Sequence, residues 1–242
     1  MYNSYASGGE TGMAGMGNFD AFSEKSIRLA FIRKVYGIVF CQLLVTMAFI
    51  VGFSASESSK AWLMQHSWLG FVALAGVLVS MITLACCGVH RTFPANLICL
   101  GIFTVCESLS LSVITVFKSG TIVMYAVIVT TVIVAALTLF AFQSKIDFTV
   151  YSGIMFVVLM VFMLFGFIAI FIKTKIMVLI YSALGTLIFS CYLVIDTQMI
   201  VGGNHRNQFS PEDYILAAIT IYTDIINIFI YVLQLLDMLS KD

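Results

Sequence analysis

The chain has 242 residues, of which 61% are hydrophobic and only 10% charged, with a mean hydropathy of +1.07. A soluble domain carries about 45–50% apolar and about 25% charged residues, so this composition excludes an ordinary water-soluble fold and points to an integral membrane protein. Lysine plus arginine equals aspartate plus glutamate, giving zero net charge; that argues against nucleic acid as a partner and leaves membrane lipid as the immediate surroundings.

Residues 1–24 are rich in Gly, Ser and Met and show no periodicity. They are expected to form a flexible tail extending to residue 27, followed by a transmembrane domain over 28–242. No basic start leads into an apolar run, so a signal peptide is not expected. A basic flank of Lys25, Arg28, Arg33 and Lys34 comes next. Seven apolar segments follow, near 35–53, 68–89, 95–117, 120–142, 151–172, 176–200 and 213–236. Each approaches the ~20 residues an α-helix needs to cross ~30 Å of hydrocarbon. Hydrophobicity does not alternate along them, which excludes a β-barrel. The expected fold is an all-α integral membrane protein with seven transmembrane helices and short connections, the longest being 54–67. Pro94 and Pro211 both fall in connections.

Basic residues set the expected topology. With the amino terminus in the cytoplasm, that side collects Lys25, Arg28, Arg33, Lys34, Arg91, Lys145 and Arg206, and the other side Lys60, Lys118, Lys173, Lys175 and Lys241. A re-entrant last segment would return Lys241 to the first group, and this count leaves both arrangements open. The six cysteines, Cys41, Cys86, Cys87, Cys99, Cys106 and Cys191, sit in or at the ends of apolar segments. They read as small buried side chains, without a disulfide framework or metal spacing.

The sixth and seventh segments each contain one aspartate, Asp196 in VIDTQ and Asp224 in YTDII. A carboxylate in hydrocarbon costs at least ~2.5–3.5 kcal/mol. Two in consecutive segments are most economically explained by a facing pair that shares a proton or a cation. Thr220, Asp224, Asn227, Tyr231 and Gln234 repeat at intervals of four and three, which places them on one helix face. A polar stripe of this kind points inward, so the last helix is expected at the centre. Plain hydrogen-bonded packing of that stripe is the competing reading.

Glu107 in the third segment borders a stripe of Thr104, Ser108 and Ser112. It reads either as a third carboxylate near a cation path, with Asn227, or as a protonated side chain bonded to a neighbouring helix. Arg91, in GVHRTFPAN, reads as a latch to one of the carboxylates or as an interfacial arginine. His90 and His205 read either as loop residues that tune a pH response, since histidine titrates near physiological pH, or as plain solvated loop histidines. Asp213, after Ser210-Pro211-Glu212, suits the start of a helix, while Asp237 reads as a tail residue. There is no G-x-S-x-G, H-E-x-x-H or phosphate-binding loop, and the two aspartates lack the Y-D and G-x-G-D context of an intramembrane protease. An enzyme is therefore not expected.

The runs SCYLVIDTQMIVGG and SPEDYILAAITIYTDIINIFIYVLQLL, with FIRKVYGIVFCQLLVT and HRTFPANLICLGIFTVCESLSLS upstream, resemble the transmembrane Bax inhibitor motif family, most closely its lifeguard branch. The resemblance covers about Arg28 to Leu236. It implies a seven-helix fold with the last helix central, a calcium leak across an intracellular membrane such as the endoplasmic reticulum or Golgi, and suppression of cell death. It also implies that Asp196 and Asp224 form a pH-sensing dyad that gates the pore, and the facing carboxylates themselves read as the cation-binding residues. The short amino-terminal tail departs from the long Pro-, Gly- and Tyr-rich extension of some relatives. Lys241 alone departs from the lysine-rich end of the Bax inhibitor branch.

The expected function is thus a pH-sensitive calcium-permeable leak channel, with calcium as the permeant ion and no cofactor. The alternatives are a calcium/proton antiporter and a non-conducting scaffold for cell-death regulatory membrane proteins.

Overall fold

The computed structural model describes residues 10–169, 171, 172, 174–203 and 205–241, with side chains from Glu24 onward. Of the expected tail, residues 1–9 lie outside the described residues; from Glu10 the backbone is helical and runs into the first span. The helices are α1 (Glu10–Ser54), α2 (Glu57–Gln65), α3 (Leu69–Cys86), α4 (Ala95–Val116), α5 (Gly120–Gln143), α6 (Ser152–Ala169), α7 (Lys175–Val201) and α8 (Tyr214–Leu239). Seven are long and apolar enough to cross a membrane: α1 from Glu24 onward and α3 through α8. No strand occurs among the described residues.

The short α2 falls inside a stretch expected to be a plain connection. Ser56 precedes it and Glu57 occupies its first turn, where a negative charge suits the helix dipole. Its Leu63 is fully buried against Val113 and Val116 of α4, and that contact holds the helix in place.

The connections alternate between two ends of the bundle. Arg28 near the start of the first span reaches Phe209 and Gln208, and Arg91 of the α3–α4 connection reaches Asp213. These groups define the near end. At the far end Lys118, between α4 and α5, meets Asp237 of α8. A single unbroken helix therefore carries Asp213 at one end and Asp237 at the other, so the last segment spans and the re-entrant alternative does not form.

The last helix is also the central one. Of its most apolar stretch 61% is buried, against 6% to 39% for the other spans. It packs against α7, α5, α1 and α4, and buried residues such as Ile215, Ala218, Ile221, Phe229 and Leu233 cover its circumference. A helix with buried residues on every side belongs in an interior. The outer helices turn large apolar side chains outward, among them Phe71, Leu164 and Phe167 at 79%, 65% and 65% exposure. Hydrocarbon is the solvent that accommodates such a surface.

Contact between α7 and α8 requires a residue without a side chain. A Cβ on Gly185 would lie 2.6 Å from the Tyr231 ring. That ring also packs against Phe162, Tyr181 and Phe189, forming an aromatic cluster below the polar part of the interface.

Candidate functional site

Asp196 and Asp224 meet at the α7–α8 contact. Both are buried, at 7% and 5% exposure. Their side chains lie close enough to interact directly, with the Thr220 side chain beside Asp196, while the Thr220 hydroxyl donates to Ala217 O of its own helix at 3.1 Å. Asp224 Oδ2 has no hydrogen-bond partner among the described residues, nor has the adjacent Thr223 Oγ1. The two carboxyl groups thus face each other across the α7–α8 contact.

The VIDTQ segment explains how Asp196 is aimed. Successive helical residues point ~100° apart, so three polar neighbours face three different elements. Asp196 faces α8; Thr197 Oγ1 lies 3.4 Å from the Tyr36 hydroxyl of α1; Gln198 is fully buried and accepts from Phe148 N at 2.8 Å while donating to Ile146 O at 2.9 Å. Rotation of α7 would break all three at once.

The rest of the stripe also faces α7. Ser182 Oγ donates to Gln234 Oε1 at 2.9 Å, and Tyr231 sits over Gly185. Asn227 instead turns back on its own helix, donating to Thr223 O at 2.8 Å.

A second polar network lies on the opposite side of α8. The buried Tyr222 hydroxyl is 2.8 Å from Thr46 Oγ1, which is 3.0 Å from Ser108 Oγ. Gln42 Nε2 donates to Thr104 Oγ1 at 2.9 Å. Thr104 and Ser108 of the α4 stripe therefore bind α4 to α1, and Thr46 carries the network on to α8, while Ser112 donates only to Ser108 O of its own helix. Sequence reasoning missed Tyr222, Thr46 and Gln42. Their only signal was the i, i+4 spacing of Gln42 and Thr46 on an apolar helix. Glu107 borders this network, partly buried, and makes no hydrogen bond or ion pair among the described residues. It is close enough to Tyr222 to act on its hydroxyl electrostatically, and the bond to a neighbouring helix expected of a structural glutamate does not form.

Near-end groups form a clamp over the α7–α8 loop. Arg91 pairs through two hydrogen bonds with Asp213, at 2.8 and 3.1 Å. The latch arginine therefore engages the start of α8 and leaves the buried pair alone. The Arg91 guanidinium is held above its ordinary range by that bond. His90 and His205 are not solvated loop residues either. His90 Nε2 is 3.4 Å from Asp213, and His205 Nδ1 is 3.2 Å from Asp147. Asp147 also accepts from Thr149 and from the Arg206 backbone, and these bonds lower its pKa to about 2. Arg28 closes the third side, donating to Phe209 O at 2.8 Å. Gly202, with φ of +64°, makes room: a Cβ there would strike the Arg28 guanidinium.

At the far end Asp237 is buried, and Lys118 Nζ and Lys241 Nζ reach it at 2.6 and 2.8 Å. The expectation of an unremarkable tail residue is corrected. Its partner Lys118 lies 119 positions away, so no local pattern announces the contact.

No group of three or more His, Cys, Asp or Glu side chains gathers as a metal cage among the described residues. The buried pair is a two-carboxyl site, and all six cysteines are free.

A seven-span helical bundle whose central helix shares a carboxyl pair with its neighbour is the class that fold and site define. The family described as inhibitor of apoptosis-promoting Bax1 matches residues 28–241, and the chain belongs to this Bax inhibitor family. It is similar to protein lifeguard 3 of Mus musculus, 38% identical over 219 residues, covering 88% of this chain and 71% of the relative. Protein lifeguard 3 of Homo sapiens is 38% identical over 232 residues, covering 92% and 72%. The Golgi anti-apoptotic protein of Vaccinia virus (strain Lister) is 34% identical over 226 residues, covering 93% and 92%.

Proposed function

We propose that this protein is a calcium-permeable leak channel of an intracellular membrane, gated by pH through Asp196 and Asp224, and that it restrains apoptosis. The observation that carries the reading is the contact of two buried carboxyl groups across the helix interface. Two such groups cannot both ionise cheaply, so they share one proton. The shared proton binds α7 to α8 and closes the path. Its loss leaves two like charges that repel or recruit a hard cation.

Calcium takes 6–8 oxygen ligands in a resident site. The pair, with Thr220 and the unpartnered Thr223 Oγ1 and Asp224 Oδ2, supplies fewer and suits passage rather than storage. Glu107, partly buried and unpaired, serves as a further carboxylate along the path; Asn227, bonded to its own helix, plays the smaller part. Arg91 acts as a latch on Asp213, holding the start of α8. No covalent chemistry enters, and the protein is not an enzyme.

The near end, with its basic flank, faces the cytoplasm, so cytosolic acidification favours the closed pair. The apoptotic role is supported by the family description and by the anti-apoptotic viral relative. That relative's name also favours the Golgi.

Calcium efflux from liposomes containing only the purified chain tests the reading. The expected result is leak down the gradient, faster near about pH 8 than near about pH 6. No flux above protein-free liposomes would overturn conduction in favour of a scaffold. Uphill accumulation driven by a proton gradient would replace the leak with exchange.

A further inference from the structure

A groove separates α1 from α5 on the outside of the bundle. Its inner part is a cavity of about 300 Å³ walled by residues such as Leu43, Leu111, Val134 and Phe229. Its outer part, about 320 Å³, continues toward the far end. Met47, Ile50 and Val127 line both, so the two parts are continuous. Met47, Val51 and Met124 on its margin are 38%, 57% and 54% exposed, which places its side opening on the surrounding lipid.

Two features give the groove an occupant of definite chemistry. The outer mouth carries Ser54, Lys60 and Lys118. Lys60 makes no ion pair among the described residues, while Lys118 is held by Asp237 at 2.6 Å. Lys241 shares that carboxylate. Glu57, one turn before Lys60 on α2, adds the other nearby negative charge. Among the described residues, three ammonium groups stand against two carboxylates at this end, and Lys60 is left without an ion-pair partner. An α-helix is ~10–12 Å across with its side chains and does not fit; an acyl chain does.

We infer that this groove binds an anionic phospholipid, one acyl chain lying between α1 and α5 and the headgroup phosphate resting on Lys60, Lys118 and Ser54. The chain covers apolar wall that neither helix covers. Because Lys118 also holds Asp237, the headgroup is joined through one ammonium to the end of the central helix. The headgroup site lies at the far end, while the inner wall borders α8 at Ile225 and Ile226; lipid binding there does not depend on conduction.

The test uses the full chain in detergent with equal amounts of phosphatidylserine and phosphatidylcholine, the retained lipid being counted by native mass spectrometry. Wild type should retain one phosphatidylserine in preference to phosphatidylcholine. Lys60→Gln should lower that preference about fivefold, the worth of one lysine at an anionic surface. Ala135→Phe, which fills the inner wall and leaves the lysines in place, should reduce retention of both lipids. Unchanged thermal unfolding separates these effects from misfolding, since Lys60 and Ala135 are not core residues. Equal retention of the two lipids by wild type would overturn the inference, as would a preference indifferent to Lys60→Gln. Full retention by Ala135→Phe would also overturn it, by showing that headgroup charge at the rim suffices.

Discussion

Lys118→Met tests whether the far-end ion pair fastens the central helix. Asp237 has 5% of its side chain exposed and Lys118 has 20%, at a separation of 2.6 Å. A hydrogen bond to a charged group contributes about 1.5–3 kcal/mol, whereas an exposed pair contributes about 0–1 kcal/mol. Lys241, 58% exposed, stays within 2.8 Å of the carboxylate after the substitution, which places the loss near the low end. The expected destabilisation is about 1.5–2 kcal/mol, on the order of 3–8 °C in Tm for a chain of this size. A double-mutant cycle with Asp237→Asn should return a coupling of similar size. Thermal unfolding of the purified protein in detergent, at low and high salt, provides the measurement. Salt should change the coupling little, because a buried pair is poorly screened. A coupling below about 0.5 kcal/mol, or one erased by salt, would refute the reasoning and return Asp237 to the status of a surface residue.

Three further outcomes follow from particular contacts. Gly185→Ala sets a Cβ 2.6 Å from the Tyr231 ring and should cost about 1–3 kcal/mol by overpacking; Tyr231→Leu should recover much of it, and failure to do so would place the strain elsewhere. Thr46→Val removes the partner 2.8 Å from the Tyr222 hydroxyl and should cost about 1–3 kcal/mol in thermal unfolding; an unchanged Tm would show that Ser108 satisfies Tyr222 alone. Asp147 has a lower pKa folded, about 2, than the ordinary 3.8, so its contribution is complete above about pH 4 and fades as pH falls toward 2. In a His205→Gln background, Asp147→Asn should therefore lower Tm equally at about pH 5.5 and about pH 7.5; a penalty that shrinks at the lower pH would contradict the clamp geometry.

The parts legible in the sequence are those in which one residue is chemically out of place. Apolar runs of about 20 residues announce spans by length alone, and every expected span recurs, the first beginning at Glu24 rather than near 35 and the others with small shifts at their ends. Asp196 and Asp224 stand out because a carboxyl group in hydrocarbon demands a partner. The stripe on α8 identified its interface with α7, since the 3.6-residue period fixes a face. What escaped depends on partners distant in the chain. Lys118 and Asp237 look like ordinary loop and tail charges until the fold brings them together. Arg91 offered no sign of which carboxylate it would choose, and Asp213, at the head of α8, proved to be the one. Hydroxyls such as Thr46 and Tyr222 are common in membrane helices and carry no individual signal. The α2 helix is too short for periodicity to reveal, and its anchor Leu63 owes its burial to α4.

The central claim is that the aspartate pair senses protons and gates calcium. Calcium flux through liposomes containing wild type, Asp196→Asn or Asp224→Asn, measured across pH, tests it most directly. Either substitution removes a titrating carboxyl from a buried pair, so both variants should lose most of the pH dependence shown by wild type, whatever their residual flux. If both variants kept the full wild-type pH profile, the pair would not be the sensor, and the account of gating would be contradicted.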